Sequence, residues 1–396
     1  MVNQSYDAEA IALIADRAEQ CVEFIRGKLF APDDVKKPPV FNQSQMTQLC
    51  GLEKIAVVRA VAKLEAMEVP TLSPGKVVGP NRREFTLENV QDWARHYGCS
   101  YKRQEGQDAA VIAVGISKGG VGKSTTTANL AQGLSLKGYK VLVIDFDPQG
   151  SLTGMMGLSP IEIAQEQTFL PIARGDKVDF NSLIQKTYWS NVDILPGAIG
   201  LNAADFYLPA RQVRDGGFRF YAVLANALRQ SGALKNYDYV VIDTPPSMSY
   251  LTINAYWAAD GILTPLPPEG PDFASSVQFW SLLSELTGQI AGLAKQDGLV
   301  KQYSWLRVFA SKVDHLKPQS EAILEWMKKA YGPEMMSVEV PTSSAVSVSH
   351  ASFSTLYDIT KYVGSAKTYS RVREAYDKLI NQVDHLTRMY KWKEVK

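Results

Sequence analysis

The sequence is short of several features that mark particular classes of protein. Its 396 residues include only three cysteines, Cys21, Cys50 and Cys99, an odd number of widely spaced thiols. No apolar run is long enough to span a membrane, and the opening MVNQSYDAEA lacks the basic start and apolar core of a signal peptide. We therefore expect a cytoplasmic protein with reduced thiols, no membrane contact and no disulfide framework.

The chain also lacks an excess of charge of either sign. It has 42 Lys/Arg against 41 Asp/Glu, so any contact with nucleic acid must come from local patches. Its hydrophobic content of 45% and charged content of 21% are those of a globular protein. The length predicts two or three domains.

The most informative stretch is residues 118–125, which read KGGVGKST. An apolar run at 110–116 precedes it and a small/apolar helical pattern at 126–136 follows, so we predict a strand, a phosphate-binding loop and a helix. In that setting Lys123 reaches the β- and γ-phosphates of ATP or ADP, and Ser124 offers its hydroxyl to Mg²⁺. The predicted nucleotide-binding residues of the loop are Lys118, Gly119, Gly120, Val121, Gly122, Lys123, Ser124 and Thr125.

One detail distinguishes this loop from the ordinary one. Ser117 stands where the first glycine is usual, and a second lysine, Lys118, follows it. This form resembles the deviant Walker A loop of the ParA/MinD ATPases. The resemblance implies a homodimer in which Lys118 contacts the partner's ATP, Lys123 contacts the ATP of its own subunit, and both are catalytic.

Two more predicted strands end in carboxylates. Residues 140–146 lead to Asp145 and Asp147 in the sequence DFDPQG, and residues 237–246, YDYVVIDTPP, include Asp243. Strand ends line the ligand crevice of an open α/β sheet, so Asp147 can orient the attacking water and Asp145 can hold Mg²⁺ through water. The alternative is a strand-end turn stabilised by Asp and Pro. The motif resembles the second signature of the same family, and Asp243 looks like its Walker B aspartate, so the expected metal residues are Ser124, Asp145 and Asp243.

The adenine side of the site is less well marked. Residues 264–276, TPLPPEGPDFASS, resemble the adenine-side loop of large plasmid-type ParA proteins, which implies nucleotide contacts at Pro267, Pro268 and Asp272. A stiff loop without a ligand is the alternative. Relatives often place an Asn near Ser311 to read adenine, and this chain has none there.

The first hundred residues predict a separate DNA-binding unit. Heptad-like spacing over 7–30 predicts a helix that either packs on its own domain or pairs with a second copy. A helix at 45–49 capped by Ser44, a turn at 50–52, a helix at 53–67, a hairpin within 70–85 and a helix at 87–97 predict a winged helix-turn-helix. We expect three regions: 1–39 as helix and linker, 40–105 as winged helix-turn-helix, and 106–396 as ATPase domain.

Two sets of basic residues are candidates for DNA contact. The second helix and the wing of the predicted unit carry Lys54, Arg59, Lys63, Arg82 and Arg83. Near the C-terminus the densest cluster is Lys361, Lys367, Arg371 and Arg373. The alternatives are a winged helix that binds protein, and a solvated helix face.

The motifs as a set resemble a large (type Ia) ParA partition ATPase. The resemblance implies an α/β fold with a doubly wound, mostly parallel sheet and slow Mg²⁺-dependent ATP hydrolysis. It also implies a sandwich dimer on nucleoid DNA, stimulation by a ParB-type partner and repression of its own operon through the winged unit.

One alternative is a MinD-like membrane ATPase, for which Leu379, Val383 and Leu386 could form an amphipathic helix. Another is a nucleotide-regulated repressor. A nitrogenase-type iron protein is excluded, because all three cysteines precede the loop.

Overall fold

The structure is a computed structural model that describes residues 7–29, 36–68, 70–79, 82–98, 101–296, 300–342, 354–358 and 366–394. It contains two compact units, residues 1–37 and 38–396. The first unit holds helix α1 (Ala8–Leu29), in agreement with the predicted helix. Asp7 accepts a hydrogen bond from Ala10 N at 2.9 Å and so begins the helix. Ile11, Leu13 and Ile14 are exposed along α1.

The second unit opens with the predicted order of helices and hairpin. Its elements are β1 (Phe41–Asn42), α2 (Gln43–Leu49), α3 (Lys54–Glu65), β2 (Lys76–Gly79), β3 (Arg82–Phe85) and α4 (Leu87–His96). The three strands form an antiparallel sheet in the order β1-β3-β2. The prediction that Ser44 caps α2 is wrong. Asn42 and Gln45 form a reciprocal capping box at 2.9 Å in both directions, so the helix begins earlier than predicted.

The core of this first part continues into the rest of the unit. Met46, Val57 and Trp93 are fully buried and belong to the same apolar cluster as the helix that follows the phosphate-binding loop. The Gln91 side chain donates to the Ser190 carbonyl at 2.6 Å, which fixes α4 to a distant loop. The division at residues 105 and 106 stays a prediction, and the packing shows that the two sides share one core.

The remaining strands form one large sheet. They are β4 (Ala110–Val114), β5 (Val141–Asp145), β6 (Gln185–Lys186), β7 (Val192–Leu195), β8 (Tyr239–Asp243), β9 (Gly261–Leu266), β10 (Trp305–Val313) and β11 (Met335–Pro341). Their order is β11-β10-β9-β4-β8-β5-β7-β6, and in the described residues only the pairing of β6 with β7 is antiparallel. The mostly parallel α/β fold predicted from the sequence is therefore confirmed.

Helices cover both faces of this sheet. They are α5 (Lys123–Leu136), α6 (Ser151–Met155), α7 (Leu170–Arg174), α8 (Ala204–Arg214), α9 (Val223–Gln230), α10 (Ala233–Asn236), α11 (Tyr250–Ala258), α12 (Gly270–Gln296), α13 (Pro318–Tyr331) and α14 (Ala366–Leu386), which continues as a π turn (Thr387–Lys391). Ile112 and Val143 pack into one apolar cluster while Val111 and Ile144 pack into the other. Burial on both faces explains why these strands read as continuous apolar runs.

The apolar face of α14 lies in the core. Leu379 and Val383 are fully buried, and Asp384 on the same helix accepts hydrogen bonds from the hydroxyls of Tyr139 and Tyr239, each at 2.8 Å. Burial and the Asp384 charge raise the pKa of both tyrosines. None of the helices in the described ranges is both long and apolar enough to cross a membrane. The apolar face of α14, which a membrane-binding helix would expose, is therefore covered by the rest of the protein.

Candidate nucleotide-binding site

The glycine-rich loop joins β4 to α5 at the carboxyl end of the parallel strands. Gly120 and Gly122 have φ values of +75° and +99°, a backbone conformation that side chains with a Cβ disfavour. A Cβ built at Gly119, Gly120 or Gly122 would meet no atom within 4 Å, so the loop opens onto free space. Turned amide groups next to a helix N-terminus form a cradle for phosphate oxygens. The geometry fits the predicted phosphate site.

Lys123, the first residue of α5, lies inside the arc of the loop. Its side chain is buried and its Nζ donates to the Lys118 carbonyl oxygen at 2.6 Å. Burial lowers the pKa of Lys123, and the charges of Asp243 and Asp147 oppose that shift. The ammonium therefore sits between the loop and the acidic strand ends.

Asp243 ends β8 as a buried carboxylate. Neither of its oxygens has a hydrogen-bond partner of ordinary geometry in the described part of the chain, and the side chain is fully buried. Burial, together with the charge of Asp145, raises the pKa of Asp243 well above its usual range, while the nearby Ser124 hydroxyl and Lys123 lower it. Buried polar groups normally have partners. An orphan carboxylate beside a hydroxyl is a donor set that suits Mg²⁺.

Asp145 is held differently from Asp243, although it ends the neighbouring strand. Its Oδ2 accepts from the amide and hydroxyl of Thr153 at 2.8 and 2.7 Å, and its Oδ1 accepts from Asp147 N at 3.1 Å. The Gly197 backbone closes over it, since a Cβ there would lie 2.7 Å from the Asp145 carboxyl carbon. Burial raises the pKa of Asp145 to about 7, against the lowering effect of these hydrogen bonds. Asp145 was expected to help hold Mg²⁺. In the structure its carboxylate points inward and anchors the loop after β5.

Asp147 lies two residues further on, half-buried beside the loop. Its Oδ1 accepts a hydrogen bond from Gln149 N at 3.0 Å, which fixes a short turn. Its charge acts on Lys123 and on Asp243, so the carboxylate lies close to both. Its role as a water-orienting group stays a prediction.

The second loop lysine faces another partner. Lys118 Nζ lies 3.5 Å from Asp272 Oδ1, and its side chain is 39% exposed where that of Asp272 is 12% exposed. Pro267 and Pro268 are buried at the end of β9, and α12 begins at Gly270. The predicted loop at 264–276 is therefore half helix. Asp272 lies in the first turn of that helix, where it pairs with Lys118 of the same chain.

Two residues at the end of β10 contact the loop and were not predicted to do so. Ser311 Oγ donates to the Val121 carbonyl at 3.1 Å, and Lys312 Nζ donates to the Gly120 carbonyl at 2.5 Å. Both follow from the rule that parallel strands end at one edge. The sequence alone gave no sign that a lysine there would bend back to the loop.

The predicted DNA contacts in the region of β1 to α4 divide into exposed and internal residues. Lys54, Arg59 and Lys63 are exposed on α3. Two apolar neighbours on that helix, Ile55 and Val58, are 64% and 50% exposed. The sequence did not predict them as candidates for DNA contact. Their apolar character gave no signal of exposure, although exposed apolar groups can contact thymine methyls.

The two wing arginines also differ from each other. Arg82 is exposed and pairs with Glu84, whereas Arg83 is 15% exposed and donates to Glu65 and to the Pro74 carbonyl. Arg83 therefore fixes the wing to α3. We keep only Arg82 among the wing candidates for DNA contact.

The C-terminal basic residues divide in the same way. Lys367 and Arg371 are exposed on α14, and Lys361 lies outside the described residues. The Arg373 guanidinium lies 3.7 Å from the centre of the Tyr357 ring and 3.2 Å from Asp377. These contacts give Arg373 a structural role within the chain and leave its guanidinium largely covered.

Parts of the chain are similar to known proteins. Residues 109–290 match the family model described as AAA domain. Protein SopA of Escherichia coli (strain K12) is 33% identical over 51% of this chain and 52% of its own length. Sporulation initiation inhibitor protein Soj of Bacillus subtilis (strain 168) is 36% identical over 40% of this chain and 58% of its own length. The chain thus spans little more than half the length of these two relatives.

One solved structure covers far more of the chain. A structure named "Partition Protein" aligns with 96% of this chain and 99% of its own, at 20% identity and a TM-score of 0.69. At that identity the likeness concerns the fold. It extends beyond the nucleotide-binding region to the helices and hairpin that precede it.

Proposed function

This chain belongs to the ParA/MinD family of P-loop ATPases, and we propose that it is a ParA-type DNA partition ATPase that closes a dimer on ATP and holds DNA in that state. The observation that supports this best is the pair of lysines on one loop. Lys123 lies buried inside the loop, whereas the Lys118 side chain is part-exposed beside α12. One lysine suffices for the bound phosphates, so the second is available to a second subunit.

The site residues divide the work of ATP hydrolysis. Lys123 and the loop amides bind the phosphates, Ser124 and Asp243 would hold Mg²⁺, and Asp147 orients the attacking water. Mg²⁺, when bound, neutralises charge on the phosphate oxygens. Water then attacks the γ-phosphorus and the bond to the bridging oxygen breaks, which yields ADP and phosphate. We place Asp145 outside the metal site, because both of its oxygens already accept hydrogen bonds from Thr153 and Asp147.

DNA binding is assigned to two surfaces in this proposal. The first part of the second unit acts as a winged helix-turn-helix that places α3 on an operator and so represses the protein's own operon. The exposed residues of α14 contact phosphates of any DNA. A ParB-type protein stimulates hydrolysis and thereby releases the dimer from DNA.

Two other functions were open on the sequence. A MinD-like membrane role is disfavoured, because Leu379 and Val383 are buried and Trp392 packs with its indole donating to the Asp108 carbonyl at 3.0 Å. A nucleotide-regulated repressor without turnover would share the fold and the winged unit. Hydrolysis of ATP in the presence of DNA separates that function from partition.

We predict that the two DNA-binding surfaces can be separated in the full-length protein. Alanine at both Arg59 and Lys63 should weaken binding to the promoter region of its own gene about tenfold or more, because contacts to base edges are lost. Binding to random DNA with ATP should stay unchanged. Alanine at both Lys367 and Arg371 should instead weaken random binding and lower the salt slope by about 2.

Full-length variants are preferred to truncations here, since α4 and the large sheet share a core. The measurement is fluorescence anisotropy of both DNAs over a salt series, with Lys102→Ala as an exposed control. Equal losses on both DNAs in the α3 variant would reject its role in sequence recognition. An unchanged salt slope in the α14 variant would make that face a solvated surface.

We also predict opposite effects of removing Asp243 on stability and on ligand binding. Asp243→Asn should raise the melting temperature without nucleotide, because a buried carboxylate without a full set of partners is costly and asparagine carries no charge at the same place. The same variant should lose most of the thermal stabilisation that Mg²⁺ and ATP give the wild type. Differential scanning fluorimetry with and without Mg²⁺–ATP measures both.

Asp384→Asn is the matched control, since Asp384 is equally buried but fully paired. That substitution should lower the melting temperature and leave the shift with Mg²⁺–ATP in place. If Asp243→Asn instead melts earlier without ligand and keeps the full shift, the carboxylate serves the fold and holds no metal.

A further inference from the structure

Lys312 has an unusual backbone at the end of β10. Its φ is +52°, in the left-handed region that residues other than Gly, Asn and Asp seldom adopt. The pairing register of β10 with β11 shifts between Ala310 and Val313, a stretch that includes Lys312. Irregularities of this kind re-aim side chains and are common beside active sites. Strain of this kind indicates that something else holds the residue there.

The contacts of Lys312 show what the unusual backbone achieves. Its Nζ donates to the Gly120 carbonyl at 2.5 Å, and its own carbonyl accepts from the Thr342 hydroxyl at 3.3 Å. Ser311 donates to the next loop carbonyl, that of Val121. Two successive residues of β10 therefore bind two successive carbonyls of the phosphate-binding loop.

Those carbonyls belong to the turn that must keep its amides directed at a phosphate. When the amides of a loop with left-handed glycines converge on an anion, the carbonyls between them point away and need other partners. The Gly120 carbonyl lies in an exposed part of the loop, and a Cβ at Gly120 would meet nothing within 4 Å. A lysine ammonium on that carbonyl supplies both a strong hydrogen bond and positive charge near the site.

We propose that Lys312 is a positioning residue for the nucleotide, which holds the phosphate-binding loop in its receptive shape through the Gly120 carbonyl. The proposal rests on the proposed binding of ATP at this loop. It adds a third lysine to the site, one that comes from β10 and lies outside the loop motif.

The test compares four variants of the full-length protein by titration with a fluorescent (mant-labelled) ADP. Lys312→Met keeps the aliphatic stem and loses the ammonium, so ADP should bind several-fold more weakly, as expected for a solvent-exposed hydrogen bond from a charged donor. Lys312→Arg should recover part of that loss. The control is Lys317→Met, which changes an exposed lysine between β10 and α13 whose Nζ lies 4.0 Å from Asp314. It should bind ADP like the wild type.

A second readout separates positioning from a structural role. Lys312→Gly relieves the left-handed strain, and this gain outweighs the greater entropy that glycine gives the unfolded chain. It should therefore melt at a higher temperature without nucleotide and yet bind ADP more weakly. The Michaelis constant for ATP should rise in Lys312→Met with little change in kcat, as expected when ground state and transition state lose the same contact.

These measurements distinguish a wrong role for Lys312 from a wrong assignment of the nucleotide site. A wild-type protein that binds no nucleotide overturns both proposals. A wild type that binds ADP and a Lys312→Met variant that binds it equally well overturn only the role of Lys312. A Lys312→Met variant that melts earlier without nucleotide, and is not rescued by Arg, would also overturn it, because the residue would then serve the fold.

Discussion

Lys123→Ala is expected to lower the affinity for ATP by about a hundredfold or more, since several charge-assisted hydrogen bonds to the phosphates would be lost. The structural reason is that Lys123 is the buried cation of the loop, with its Nζ inside the arc at 2.6 Å from the Lys118 carbonyl. The loop itself should persist, because Gly120, Gly122 and Ser311 set its backbone. Binding of labelled ATP measured by filter retention or fluorescence checks the result.

The control for this prediction is Lys329→Ala, which removes an exposed lysine on α13 far from the loop motif in the chain. It should bind ATP like the wild type. Tight ATP binding by Lys123→Ala would show that the phosphates are held elsewhere, and the assignment of the loop would then be wrong.

Asp147→Ala is expected to bind ATP and Mg²⁺ but to hydrolyse ATP about a hundred- to a thousandfold more slowly, the usual effect of losing a group that positions a reactant. The carboxylate lies half-buried beside Lys123 and Asp243, where the γ-phosphate is expected. Because hydrolysis ends the DNA-bound state in this proposal, the variant should also stay on DNA longer. Single-turnover hydrolysis and DNA dissociation kinetics measure the two effects.

Asp147→Asn is the informative companion variant. Its amide oxygen can still accept from Gln149 N, so the turn is kept while the charge is lost. If both variants are slow, the charge of Asp147 orients the water. Wild-type turnover in Asp147→Ala would move that role to another residue.

The parts of the site that could be predicted from the sequence are those set by local pattern. The loop at 118–125 lies between a strand and a helix as predicted, because glycine spacing and apolar runs are properties of neighbouring residues. Asp147 and Asp243 lie beside that loop as expected, since parallel strands end at one edge. Their catalytic and metal roles remain proposals.

The parts that the sequence did not give depend on distant partners. Asp145 looks equivalent to Asp243 in the sequence. In the structure, the hydrogen bonds from Thr153 and Asp147 and the Gly197 backbone distinguish Asp145. Arg83 and Arg373 read as surface charges, yet Glu65 and Tyr357 cover them. Such pairings join residues far apart in the chain and leave no periodic signal.

The helix boundaries show a milder version of the same limit. Asn42 begins α2 in place of Ser44, because both residue types cap helices and the reciprocal bond with Gln45 decides between them. Similarly, α12 begins at Gly270, so the second half of the loop predicted at 264–276 is helical. Competing local solutions of similar free energy are resolved by contacts that a sequence pattern does not include.

The most direct test of the proposed function is the binding of random-sequence duplex DNA by the full-length protein with ATP, with ADP and without nucleotide. Fluorescence anisotropy at constant salt should show tight binding only with Mg²⁺–ATP, together with a doubled molar mass by light scattering. Lys118→Ala should still bind ATP but lose both effects, because its ammonium is proposed to reach the partner's phosphates. Equal DNA binding in all three nucleotide states, or normal ATP-dependent association of Lys118→Ala, would contradict the account.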